Sequence, residues 1–100
     1  MSTSGIELLE VAAQSVATTD DNLIVHLADG RTITVPLAWF PRLLHGTAAE
    51  RSHFRLIGGG LGIHWPDLDE DISVLSLLAG RRSGETQESL RRWLSGRGRD

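Results

Sequence analysis

The chain has 100 residues, 40% of them hydrophobic, a formal charge of −3 and no cysteine. A chain this short can bury one small core but not two. The lack of cysteine excludes a disulfide framework and a thiolate metal site, and it points to a reducing cytoplasm. The opening residues, Met1 to Gly5, lack a basic stretch followed by an apolar run, and no apolar segment approaches the roughly 18 residues that a bilayer span needs. Neither export nor membrane insertion is therefore expected.

The net charge hides an asymmetry. Residues 1–80 carry ten acids against four arginines, whereas residues 81–100 carry six arginines against three acids. An acidic body is thus followed by a basic tail. All ten basic residues are arginine, and a GC-rich genome explains this as readily as any need for bidentate contacts.

In chain order, residues 11–18 read as a weakly patterned strand, and Thr19-Asp20-Asp21-Asn22 as a turn. A hairpin follows, with Leu23, Val25 and Leu27 alternating on one strand and Ile33 and Val35 on the next. A two-residue Asp29-Gly30 turn would set Leu27 opposite Thr32 and mix apolar with polar groups on each face. A three-residue loop, Ala28-Asp29-Gly30 with Gly30 left-handed, instead pairs Leu27 with Arg31, Val25 with Ile33 and Leu23 with Val35. The second register is predicted because it leaves one coherent apolar face.

Pro36 ends the ladder. Residues 37–44 lead into a short helix with Pro41 in its first turn, and Gly46 stops it. Thr47 and Glu50 have capping-box spacing, which predicts a second helical turn running to about His53. Residues 55–65 read as one extended, glycine-interrupted strand with Leu61, Ile63 and Trp65 on one side. Ser73 is placed to cap a helix over residues 74–79, closed by Gly80. A final helix is expected over residues 85–95, where Leu90, Trp93 and Leu94 form an apolar stripe. An 11-residue helix is marginal alone, so that stripe must dock on the domain, on a second subunit or on another protein.

The segments Asp29-Gly30-Arg31, residues 35–43, Glu50-Arg51 and, above all, the run Gly62-Ile63-His64-Trp65-Pro66-Asp67-Leu68-Asp69-Glu70-Asp71-Ile72-Ser73 resemble the bacterial family called domain of unknown function 2442. The resemblance covers roughly residues 11–80. It implies an α+β domain with a small antiparallel sheet, packed with short helices. It also implies gene neighbourhoods that place such proteins beside small proteins of another uncharacterised family, as in a toxin–antitoxin pair. Some members carry a C-terminal helix-turn-helix domain, for which this chain has no room after Gly80. The expected organisation is one domain over residues 1–80 and a basic helix or tail over residues 81–100.

Asp67, Asp69 and Asp71 have the opening spacing of a calcium loop, but Ile72 stands where the loop glycine belongs and Leu78 where its bidentate glutamate belongs. His64 beside the Asp67–Asp71 acids could join a transition-metal site and so a metal-dependent enzyme. His26, His45 and His53 show no metalloprotease spacing. The glycines at 58, 59, 60 and 62 lack the lysine of a phosphate loop, since the chain contains none. Arg81, Arg82, Arg91, Arg92, Arg97 and Arg99 raise a DNA-associated regulator, against which stand the acidic body and the lack of a groove-reading motif.

The reading that results is a non-enzymatic protein-interaction module without cofactor or metal, the antitoxin or regulatory half of a two-protein operon. Trp65, Asp67, Asp69 and Glu70 would meet a small basic protein encoded nearby, with Trp93 and Leu94 adding apolar anchoring. Trp65 is either core or a rim anchor on this reading. Asp71 is set apart as a stabiliser of the helix beginning near Ser73. Self-association as a homodimer is expected from the Leu90-Trp93-Leu94 stripe; specific nucleic-acid or membrane binding is not.

Overall fold

The computed structural model describes residues 11–97. Strands β1 (Ala13–Thr18), β2 (Asn22–Leu27) and β3 (Thr32–Pro36) form one antiparallel sheet in that order. The β2–β3 register is the one demanded by a coherent apolar face, with Leu23 opposite Val35 and Val25 opposite Ile33. The Leu27 amide donates to the Arg31 carbonyl, and Gly30 takes a φ of +93° that only glycine adopts without strain. The turn before β2 is held by the Thr19 hydroxyl, which accepts from the amides of Asp21 and Asn22.

After a single 3-10 turn (Leu37–Trp39), α1 (Pro41–His45) and α2 (Ala48–Ser52) form two short helical pieces. Pro41 sits in the first turn of α1, and α2 carries the complete capping box between Thr47 and Glu50.

A second antiparallel sheet contains β4 (Arg55–Ile57), β5 (Gly62–Trp65) and β6 (Glu70–Ser73), in that order. Residues 55–65 therefore do not make one glycine-interrupted strand. The glycines build a tight 3-10 turn (Gly58–Gly60) that folds β5 back on β4, with Gly58, Gly59 and Gly60 all at positive φ. The expected close approach is real at Gly60, where an added Cβ would lie 2.8 Å from the Ala13 carbonyl oxygen in β1.

Ser73 caps α3 (Val74–Leu78) by accepting from the Ser76 amide, as its position predicts. The last helix, α4, runs from Gln87 to Arg97, two residues later than expected at each end.

One apolar cluster joins both sheets. Leu23, Val25, Leu27 and Val35 of the first sheet share it with Ile63, Trp65 and Ile72 of the second, together with Leu37, Phe40, Leu43, Leu68, Val74 and Leu77. Trp93 of α4 packs against this cluster while staying half-buried. The 81–97 segment is thus folded onto the domain. Among the described residues, no helix is long and apolar enough to cross a membrane.

The acidic turn and its supports as a candidate functional site

Trp65 is fully buried, and its indole N–H donates to the Arg51 carbonyl oxygen at 3.0 Å. It cannot serve as a rim anchor, because the ring is the centre of the core and its one polar atom is already paired. Arg51 is buried as well and donates through Nη1 to the carbonyls of Leu43 and Gly46, so it satisfies the exposed end of α1. Among the described residues its Nε has no hydrogen-bond partner. The Glu50-Arg51 and Trp65-Pro66 motifs are therefore parts of one internal brace.

From this brace the chain turns through residues 66–69 into β6. The Leu68 side chain is fully buried, which pins the turn from inside. Asp67 and Asp69 point outward on either side of Leu68, and Asp69 holds a φ of +50° with its side chain 86% exposed and 3.6 Å from Arg42 Nη1. Aspartate is among the few residues other than glycine that enter this region at modest cost.

The remaining acids divide by strand alternation. In the β5–β6 register, Asp71 lies opposite His64 on the outer face, where His64 Nδ1 is 2.6 Å from Asp71 Oδ1. Asp71 is thus a cross-strand partner of His64 and has no helix-terminal role. Asp67 pairs instead with His53, at 2.7 Å. The histidines and acids disperse into separate pairs, and among the described residues no three His, Asp or Glu side chains gather where they could hold one metal ion.

Glu70 falls opposite Trp65, on the inward face. It is half-buried and does not belong to the outward acidic surface on which the sequence placed it. Burial pushes its carboxyl up to about 7, against the opposing pull of Arg42 and the Asp71 amide.

Arg42 organises this side of the molecule. Its Nε and Nη2 donate to both carboxylate oxygens of Glu85, each at 2.8 Å, and Nη1 donates to the Asp69 carbonyl at 3.2 Å. Trp93 of α4 lies between two guanidinium groups, with Arg42 at 5.2 Å and Arg97 at 4.6 Å from its ring centroid. Arg97 also makes a two-contact ion pair with Glu50, at 2.7 and 3.1 Å. Trp93 is thus committed to the chain's own domain, with its neighbour Leu94 also half-buried. An anchoring role toward a partner through Trp93 does not fit this packing.

The basic tail likewise divides. Arg97 braces α4, while Arg82 lies 4.8 Å from the Trp39 ring centroid. Arg91 and Arg92 face solvent along α4, where with Ser95 and Gly96 they border an open depression of about 450 Å³. Among the described residues its walls come from one helix, an arrangement that neither encloses a ligand nor shapes a nucleic-acid groove.

Two three-stranded antiparallel sheets sharing one core with short helices define a small α+β domain. The chain belongs to the family described as protein of unknown function (DUF2442), which matches residues 13–83. The match ends before α4. A crystal structure of a protein of unknown function from Rhodospirillum rubrum is similar, with a TM-score of 0.65 and 26% identity over 79% of this chain and 95% of that one. A solution structure of an uncharacterized protein from Chromobacterium violaceum shares the fold, with a TM-score of 0.64 and 20% identity over 94% of this chain and 88% of that one. No curated protein matches the chain.

Proposed function

We propose that this protein is a non-enzymatic interaction module whose acidic turn docks a basic surface on a partner protein, as the regulatory or antitoxin half of a two-protein bacterial operon. One observation carries the reading. Asp67 and Asp69 project to solvent on either side of the fully buried Leu68, from a turn bracketed by the buried Trp65 and Ile72. Charges held on a rigid turn lose little conformational freedom on binding, and they steer a cationic partner over the length of the Debye screen. The partner is a small protein rich in Arg or Lys, and complex formation covers that partner's own functional groups.

The experiment is to purify the tagged chain from its source bacterium beside an Asp67→Asn/Asp69→Asn variant. Asparagine keeps the shape of the turn and tolerates the left-handed conformation at 69 while removing both charges. A basic protein encoded next to the gene should be retained by the native chain and be markedly depleted with the variant. Equal recovery with both would remove the acidic turn from the account.

A further inference from the structure

Beside β6, the 81–84 connection, Glu70, Asp71, Ser73 and Ser76 border an open cleft of about 350 Å³, with the Asp71 carboxylate engaged by His64. That volume lies at the small end of the range of about 300–1,000 Å³ that small-molecule sites span. The buried ring of Phe40 borders it, and Arg81 and Arg82 contribute to the wall formed by the connection. Because β6 is the edge strand of its sheet, no neighbouring strand takes up the backbone groups along this side.

The charges around the cleft are not matched to one another. Among the described residues, Arg81 makes no ion pair and no side chain is hydrogen bonded to the Glu70 carboxylate. Arg42, a cation close to Glu70, spends Nε and Nη2 on Glu85 and Nη1 on Asp69. Arg82 rests its guanidinium on Trp39, and among the described residues its N–H donors make no hydrogen bond. An incoming simple anion would meet the Glu70 carboxylate, and a simple cation would meet two guanidinium groups. A molecule carrying both charges satisfies both walls, with the Ser73 and Ser76 hydroxyls available to its remaining polar atoms.

We infer that this cleft binds a small zwitterion of the α-amino-acid class with an apolar side chain, its ammonium directed to Glu70, its carboxylate to Arg81 and Arg82, and its side chain toward Phe40. The assignment is independent of the docking proposal, since Asp67 and Asp69 do not border the cleft.

The test is an NMR titration of the isotope-labelled full chain with an equimolar mixture of L-leucine, L-methionine and L-phenylalanine. Parallel titrations use the N-acetyl derivatives, which lack the ammonium, and the amino-acid amides, which lack the carboxylate. The expected result is saturable shifts confined to residues 70–76 and 81–84, with a Kd on the order of 1 mM. Each derivative should bind at least about tenfold more weakly, as should Glu70→Gln and Arg81→Ala proteins whose spectra are otherwise native. Three results would each overturn the inference: no shift in those segments at about ten times that concentration, N-acetyl derivatives that bind as well as the free acids, or amides that do so.

Discussion

Arg42 and Glu85 stand 43 residues apart in the chain and meet in a two-contact ion pair, both distances 2.8 Å, with the Glu85 side chain only 8% exposed. The contact ties the segment beyond the family match to the domain that the family defines. A second pair, Glu50 with Arg97, fastens the far end of α4. Trp93 fills the space between the two fastenings.

Acid should release this helix. Arg97 and the Thr47 amide hold Glu50 at about 2, and Arg42 lowers the Glu85 carboxyl. A carboxyl lowered in the folded state contributes stability above its unfolded value of about 4.3, and that contribution is lost as pH falls toward the folded value. As pH falls from 5 to 2, hydrogen-exchange protection across residues 87–97, taken relative to the intrinsic rate at each pH, should be lost before that of either sheet. Glu85→Gln should shift this loss to neutral pH, with a cost of about 1–2 kcal/mol after allowance for solvent screening. Uniform loss of protection over the whole chain would contradict the two-point fastening.

Glu70 has the opposite sign. Its carboxyl, facing Arg42, Asp71 and Glu85, titrates at about 7 in the folded protein. The resulting stability is complete below the unfolded value of about 4.3 and is lost as pH rises through 7. Glu70→Gln should therefore leave the melting temperature unchanged near pH 4 and raise it by roughly 4–8 °C at pH 8, equivalent to about 1 kcal/mol. An equal shift at both pH values would show that ionisation is not the cause.

The glycine turn gives a paired comparison. Gly58 and Gly60 both have positive φ, yet an added Cβ meets nothing within 4 Å at Gly58 and the Ala13 carbonyl at 2.8 Å at Gly60. Gly58→Ala should cost about 1 kcal/mol, the cost of the conformation alone. Gly60→Ala should cost at least about 2 kcal/mol, because backbone must also move. Chemical denaturation of the two proteins measures the difference, and equal losses would argue against close packing of the turn on β1.

Where local chemistry decides structure, the sequence was legible. The β2–β3 register followed from keeping Leu23, Val25, Ile33 and Val35 on one face, and the caps at Thr47 and Ser73 followed from side chains that satisfy free helix amides. The glycine run was misread because a bulge and a tight turn have the same composition; the choice was made by the contact of Gly60 with Ala13, 47 positions earlier in the chain.

The site was legible in composition and not in direction. Asp67 and Asp69 lie exposed on the turn, whereas residues 70–73 form a strand whose alternation turns Glu70 inward and Asp71 toward His64. Expecting a helix start there concealed the alternation. The pairing of Trp93 with Arg42 depends on a helix folding back across the domain, which no local pattern specifies.

Docking by this turn depends on the charges of Asp67 and Asp69, which association kinetics with the purified basic partner measure. At low ionic strength the native chain should associate at least about tenfold faster than the Asp67→Asn/Asp69→Asn variant, and raising the salt toward 0.5 M should remove most of the difference. The melting temperatures of the two proteins should agree to within a few degrees. Identical association rates and identical salt dependence, in two equally folded proteins, would contradict the account.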